Sequence, residues 1–126
     1  MNASTSYWPE ELRLAKDRYA LTIAFDNGDR FAISAELLRV QSPSAEVRGH
    51  TEAERKTVGG KRHVRIMAVD QVGNYAVRIR FDDMHDTGLY SWDYLHELGR
   101  EAEKRMEIYE AELAAKGLSR DKPGQK

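Results

Sequence analysis

Apolar residues recur at every second position over two stretches of the chain and at every third or fourth position over a third. In the first stretch, Tyr19, Leu21, Ile23 and Phe25 alternate with Ala20, Thr22 and Ala24. Successive strand side chains point to opposite faces, so this spacing predicts a strand with one buried face. Asp26-Asn27-Gly28-Asp29 follows. Asn-Gly is suited to the two positive-φ positions of a type I′ turn, which predicts a tight hairpin returning through Phe31 and Ile33. Ahead of it, Leu12 and Leu14 suggest a short strand, closed by the polar turn Lys16-Asp17-Arg18. Trp8-Pro9 marks the entry, because a residue before proline is pushed to extended geometry.

The second stretch sets Val64, Ile66 and Ala68 against Arg65, Met67 and Val69. After a turn over 70–74 it sets Tyr75, Val77, Ile79 and Phe81 against Ala76, Arg78 and Arg80. It reads as a second antiparallel hairpin with an apolar and a polar face. Two serines are placed to cap helices. Ser34 precedes Ala35–Val40, and Ser91 precedes a stripe of Leu95, Leu98, Ala102, Met106, Tyr109 and Leu113. Such spacing predicts one long amphipathic helix, with Gly117 as its stop.

These elements predict an α+β fold of a small single domain. Two antiparallel β-hairpins form a twisted sheet, packed with a short helix and a long C-terminal helix. Residues 1–8 are expected to form a flexible leader, 9–117 the domain and 118–126 a disordered tail, whose loss from residue 119 onward should cost little stability. Residues 46–62, polar and carrying Gly49, Gly59 and Gly60, read as a long exposed loop.

Composition narrows the function. The 126 residues suit one domain, and the absence of cysteine excludes disulfides, thiolate nucleophiles and cysteine-held clusters carried by this chain. It also fits a reducing, cytoplasmic setting. With 20 Lys+Arg against 21 Asp+Glu, the chain lacks the basic footprint of a nucleic-acid binder. No apolar run approaches the roughly 18 residues of a membrane span, and the N-terminus has no secretory pattern. The expected partner is a protein, not a nucleic acid or a membrane.

Asp82, Asp83, His85 and Asp86 form the one site-like cluster. Three carboxylates beside an imidazole could bind a metal or tune a base. Alternatively, they form a polar corner whose aspartates satisfy loose backbone donors. A facial triad needs a second histidine, for which His63 is the candidate across the hairpin. Oxygen ligands with one imidazole would suit iron or manganese better than zinc. Tyr75, Tyr90 and Trp92 could wall a pocket there, although they and Phe81 fall on core phases. His50, His63 and His96 show no ligand spacing, and His96 is expected to be exposed. Arg65, Arg78 and Arg80 mark a possible interaction surface on the outer face of the second hairpin, or a solvated sheet face. Gly59-Gly60-Lys61 lacks the rest of a phosphate loop. No catalytic or cofactor-binding residue emerges, and an enzyme is not expected.

Four segments together carry a resemblance: Leu37-Leu38-Arg39, Ser42-Pro43-Ser44-Ala45, Val72-Gly73-Asn74-Tyr75-Ala76, and the run from Phe81 to Trp92 containing Asp83-Met84-His85. In this order they resemble the gamma-butyrobetaine hydroxylase N-terminal-like family, from about Pro9 to about Leu98. The resemblance implies a non-catalytic domain. It precedes the catalytic domain of carnitine-pathway dioxygenases, is fused elsewhere to Mrp-type iron–sulfur carriers, and stands alone in many bacteria. It also implies a possible link to iron–sulfur or metal-enzyme metabolism. Zinc-holding members use a Cys-x-Cys-x-x-Cys segment and the histidine of Asp-Gly-His. By position these fall on Ser42, Ser44, Val47 and His85, with Met84 at the glycine. Serine hydroxyls are poor zinc ligands and valine is none, so the resemblance implies that zinc is absent here and that hydrogen bonds or packing replace it.

Overall fold

In the computed structural model, which describes residues 7–44 and 56–121, the fold is α+β and the two alternating stretches build two sheets. Each hairpin recruits a third strand. The first sheet holds β1 (Pro9–Leu14), β2 (Ala20–Phe25) and β3 (Arg30–Ser34), antiparallel in that order. Helix α1 (Ala35–Val40) follows directly. The second sheet holds β4 (Ile66–Val72), β5 (Ala76–Phe81) and β6 (Leu89–Ser91). Helices α2 (Trp92–Arg100) and α3 (Ala102–Ala115) complete the chain order. The two hairpins expected to share one twisted sheet stand instead in two, each with a third strand, Pro9–Leu14 or Leu89–Ser91, on one edge.

One core lies between these layers. Leu21, Ile23, Phe25 and Ile33 meet Ile66, Ile79, Phe81 and Tyr90, with Leu37, Leu38, Leu95 and Leu98 from the helices. Ser34 and Ser91 cap their helices, their hydroxyls accepting from the amides of Leu37 (3.0 Å) and Tyr94 (3.1 Å). Gly117, at φ 69°, ends α3 in a Schellman arrangement, with Leu118 N–H on the Leu113 carbonyl and Gly117 N–H on that of Ala114.

Several expectations need correction. The first hairpin turn is not type I′, since only Gly28, at φ 95°, is left-handed. Gly28 N–H reaches the Phe25 carbonyl and Phe25 N–H that of Asp29, a turn closed by a glycine bulge. In β4 the register shifts between Ile66 and Ala68. Ile66 therefore opposes Phe81 while Val69, not Ala68, opposes Ile79. Tyr75 lies in the turn before β5 and is exposed. The long helix is interrupted at Glu101 (φ −105°), although the amide of Arg105 still reaches the Glu101 carbonyl.

His96 is buried, not exposed. Tyr7, assigned to the leader by sequence, stacks on its ring at 3.6 Å, Phe25 and Phe31 meet it edge-on, and Nε2 lies 2.7 Å from Asp29 Oδ2. That contact, with one from Asn27, draws the Asp29 carboxyl below its ordinary value. At the other end, the described part of the tail is anchored. Gly60 N–H and Arg62 N–H bond the carbonyls of Ser119 and Arg120. The Arg120 guanidinium forks onto both oxygens of buried Glu36, at 2.8 and 2.6 Å. Sequence missed this pair because its members lie 84 positions apart.

Two stability predictions follow from this packing. A Cβ on Gly99 would stand 2.7 Å from Cβ of Phe31 and closer still to its ring. Gly99→Ala should therefore destabilise by about 1–3 kcal/mol in urea titration, despite alanine's better helix propensity. Stabilisation would show that α2 stands off β3. Arg120→Ala should cost about 2 kcal/mol by leaving the Glu36 carboxylate buried without its charge-assisted bonds. An unchanged midpoint would return residues 119–121 to a dispensable tail.

Candidate functional site

The Asp82–Asp86 corner is built as a turn that leaves β5. Met84 N–H bonds the Phe81 carbonyl and Phe81 N–H bonds the His85 carbonyl, at 3.1 and 3.0 Å. Met84 adopts φ 74°, a left-handed conformation that glycine takes at little cost and other residues do not. Its side chain is exposed, so the substitution strains the backbone without crowding neighbours.

The aspartates diverge. Asp82 faces β4, accepting from Arg65 N–H (3.0 Å) with Arg65 Nε at 3.4 Å. Asp83 turns inward: Oδ2 accepts from Arg39 Nε at 2.7 Å and Lys61 Nζ at 2.5 Å, and Oδ1 from His85 N–H at 3.1 Å. Burial pushes the Asp83 carboxyl up, but the bonds from Lys61, the His85 amide and Arg39 together outweigh it and hold it at about 2. Asp86 is exposed.

His85 is buried, and its Nε2 lies 2.9 Å from Ser42 Oγ. Ser42 Oγ also accepts from Ser44 N–H at 3.2 Å, and Ser44 Oγ meets Thr87 Oγ1 at 2.6 Å. Gly88 makes room for this cluster, since a Cβ there would stand 2.5 Å from Ser42 Oγ. Beneath it, the Tyr90 hydroxyl donates to the Leu38 carbonyl, and burial pushes that phenol up. The cluster therefore joins the end of α1 to the strand-to-helix corner through neutral hydroxyls.

The structure brings together His85, Asp83, Ser42 and Ser44 and separates the other candidates. His63 is exposed and acts electrostatically on Asp121. Among the described residues, no three His, Asp or Glu side chains gather as a metal site would require. Val47 and His50, with most of the 46–62 loop, lie outside the described residues. Arg65, Arg78 and Arg80 are exposed on the outer face of the second sheet, with Arg80 Nε 3.3 Å from Asp70 Oδ2. Sequence reasoning missed Arg39 and Lys61 as partners of Asp83, for at separations of 44 and 22 positions no local pattern links them.

Comparison with known proteins gives consistent matches. The model of the family described as gamma-butyrobetaine hydroxylase-like, N-terminal, matches residues 12–96. Two solution NMR structures are similar at TM-score 0.80. One is 40% identical and covers 95% of this chain and 94% of its own; the other is 43% identical and covers 100% and 97%. A crystal structure from Acidithiobacillus ferrooxidans, described as a protein with unknown function of the DUF971 family, is 33% identical with TM-score 0.61, over 72% of this chain and 91% of that one. No curated protein matches.

The Asp83 geometry sets an acid limit. Its carboxyl drops from an ordinary 3.8 to about 2 on folding. Its contribution of about 2 kcal/mol is present above the unfolded value and is lost as pH falls through about 2. The stability gap between wild type and Asp83→Asn should hold steady above about pH 5 and close between about pH 4 and 2. Parallel pH–stability curves in urea would place Asp83 in solvent.

Proposed function

Because the chain belongs to the gamma-butyrobetaine hydroxylase-like N-terminal family, we propose that it is a non-catalytic accessory domain that works by binding another protein in the cytoplasm. The observation that carries this reading is the fate of the polar corner. Asp83 is spent on Arg39 and Lys61, and the His85 ring nitrogen on Ser42. A general base or a ligand set needs polar groups converging on an open point, and here they converge on one another.

The outer face of the second sheet supports the binding half of the proposal. Arg65, Arg78 and Arg80 project from it, and the apolar Leu89, which pairs with Arg78 across the strands, is exposed beside them. Arginine with scattered apolar area is a composition favoured at protein interfaces. Among the described residues no helix is long and apolar enough to cross a membrane. A link to iron–sulfur or metal-enzyme metabolism rests on the company the family keeps, and we propose it only as an association.

Two experiments test the reading. Tagged protein should retain a specific partner from native lysate and lose it when Arg65, Arg78 and Arg80 are all changed to Glu. If nothing is enriched under several growth conditions, the reading loses its main support. The second concerns metal. Ser42 and Ser44 stand where the resemblance puts thiolates, and their hydroxyls are bonded to His85, a neighbouring amide and Thr87. This donor set does not fit zinc. Nor does the corner offer iron or manganese a converging triad. Protein purified without added metal should carry far less than one zinc, iron or manganese per chain by elemental analysis. Near one per chain, lost in His85→Ala, would replace the structural reading with a metal site.

A further inference from the structure

A cavity of about 230 Å³ lies away from the polar corner, where the entry to β1 faces the β4–β5 turn. Its walls include Trp8, Glu10, Glu11, Gln71, Asn74 and Trp92. Trp92 is buried, with its indole N–H donated to the Asn74 carbonyl at 2.9 Å, so it offers the cavity only ring carbon. Trp8 is 46% exposed, yet its backbone is fixed by the Asp26 amide, which donates to the Trp8 carbonyl at 2.9 Å. The cavity therefore has an exposed indole on an anchored backbone as one of its walls.

The charges of the lining are both negative. Glu11 is occupied by Arg13 at 2.5 Å and Arg30 at 3.1 Å. Glu10 is exposed and has no ion pair among the described residues. It stands at the bulge where β1 slips against β2, which leaves it outside the regular strand pairing. No cationic side chain lines the cavity. The space is below the roughly 300–1,000 Å³ of a pocket for a drug-sized ligand, and about right for one long side chain.

We propose that this cavity receives the guanidinium of an arginine on a partner protein, stacked on Trp8 and paired with Glu10. The proposal rests on the protein-binding reading and adds the chemistry of one anchor. A planar, weakly hydrated guanidinium stacks on indole and presents a fork of donors that suits a carboxylate, whereas a lysine ammonium is a strongly hydrated point charge. The amide carbonyls of Gln71 and Asn74 add acceptors at the rim.

The chain has two tryptophans, and both line this cavity, so intrinsic emission reports on it directly. The full chain is titrated at constant ionic strength with N-acetyl-arginine amide, its neutral isostere N-acetyl-citrulline amide, and N-acetyl-lysine amide. We expect a saturable emission change with the arginine compound, and binding at least about fivefold weaker for the other two. Glu10→Gln and Trp8→Ala should each weaken the arginine response by a similar factor. Amide shifts of Gln71 and Asn74 in wild type and Glu10→Gln locate the site independently of the indole. Equal responses to arginine and citrulline, or an unchanged response in Glu10→Gln, would overturn the proposal. A lysine response matching that of arginine would overturn the assignment of a guanidinium. If the cavity fails while the lysate partner persists, the anchor is wrong and the protein-binding reading stands.

Discussion

The Asp83 carboxylate is the constraint on which the rest of this molecule depends. It collects donors from three parts of the chain: Arg39 on α1, Lys61 on the segment before β4, and the amide of His85 in its own turn. A carboxylate with little exposure is tolerated only when such donors surround it. Here they fix where α1 ends relative to where β5 turns. His85 is then set against Ser42, the strained Met84 turn is held closed, and the two sheets share one core.

At the corner itself, the same contacts disperse the cluster instead of gathering it. Three aspartates and a histidine within five residues look like a site when read as a string. In three dimensions they serve different masters: Asp82 the backbone amide of Arg65 just before β4, Asp83 two cations, His85 a serine hydroxyl. Ser42 and Ser44 do converge near His85, as the resemblance to zinc-holding relatives implies by position, but through hydroxyl hydrogen bonds. A hydrogen-bonded joint of this kind can hold α1 to the corner without thiolates.

What was legible in the sequence was local. The alternations of β2 and of Val77–Phe81 in β5, both serine caps and the Gly117 stop depend on neighbours within a few positions, and these appear where the spacing places them. What was not legible depends on partners far along the chain. His96 looked exposed because α2 is polar beside it, yet Tyr7, Phe25 and Phe31 form a box around it from other elements. Arg120 looked like tail until Glu36 is placed beside it. The bulge at Met67 reverses which residue faces inward, and alternation alone cannot reveal an inserted position. The cavity at Trp8 leaves no local pattern for the same reason, since its walls come from the entry and start of β1, the β4–β5 hairpin and α2.

The claim that the corner is a closed structural joint held by Asp83 is tested most directly by amide hydrogen exchange. The amides of Phe81, Met84, His85 and Ser44 all have acceptors inside the joint. In wild type they should exchange slowly. In Asp83→Asn they should lose protection together, while the β2 amides of Leu21 and Ile23 keep theirs. Rapid exchange at His85 and Ser44 in the wild-type protein, or protection unchanged by Asp83→Asn, would contradict the account and reopen the corner as a site.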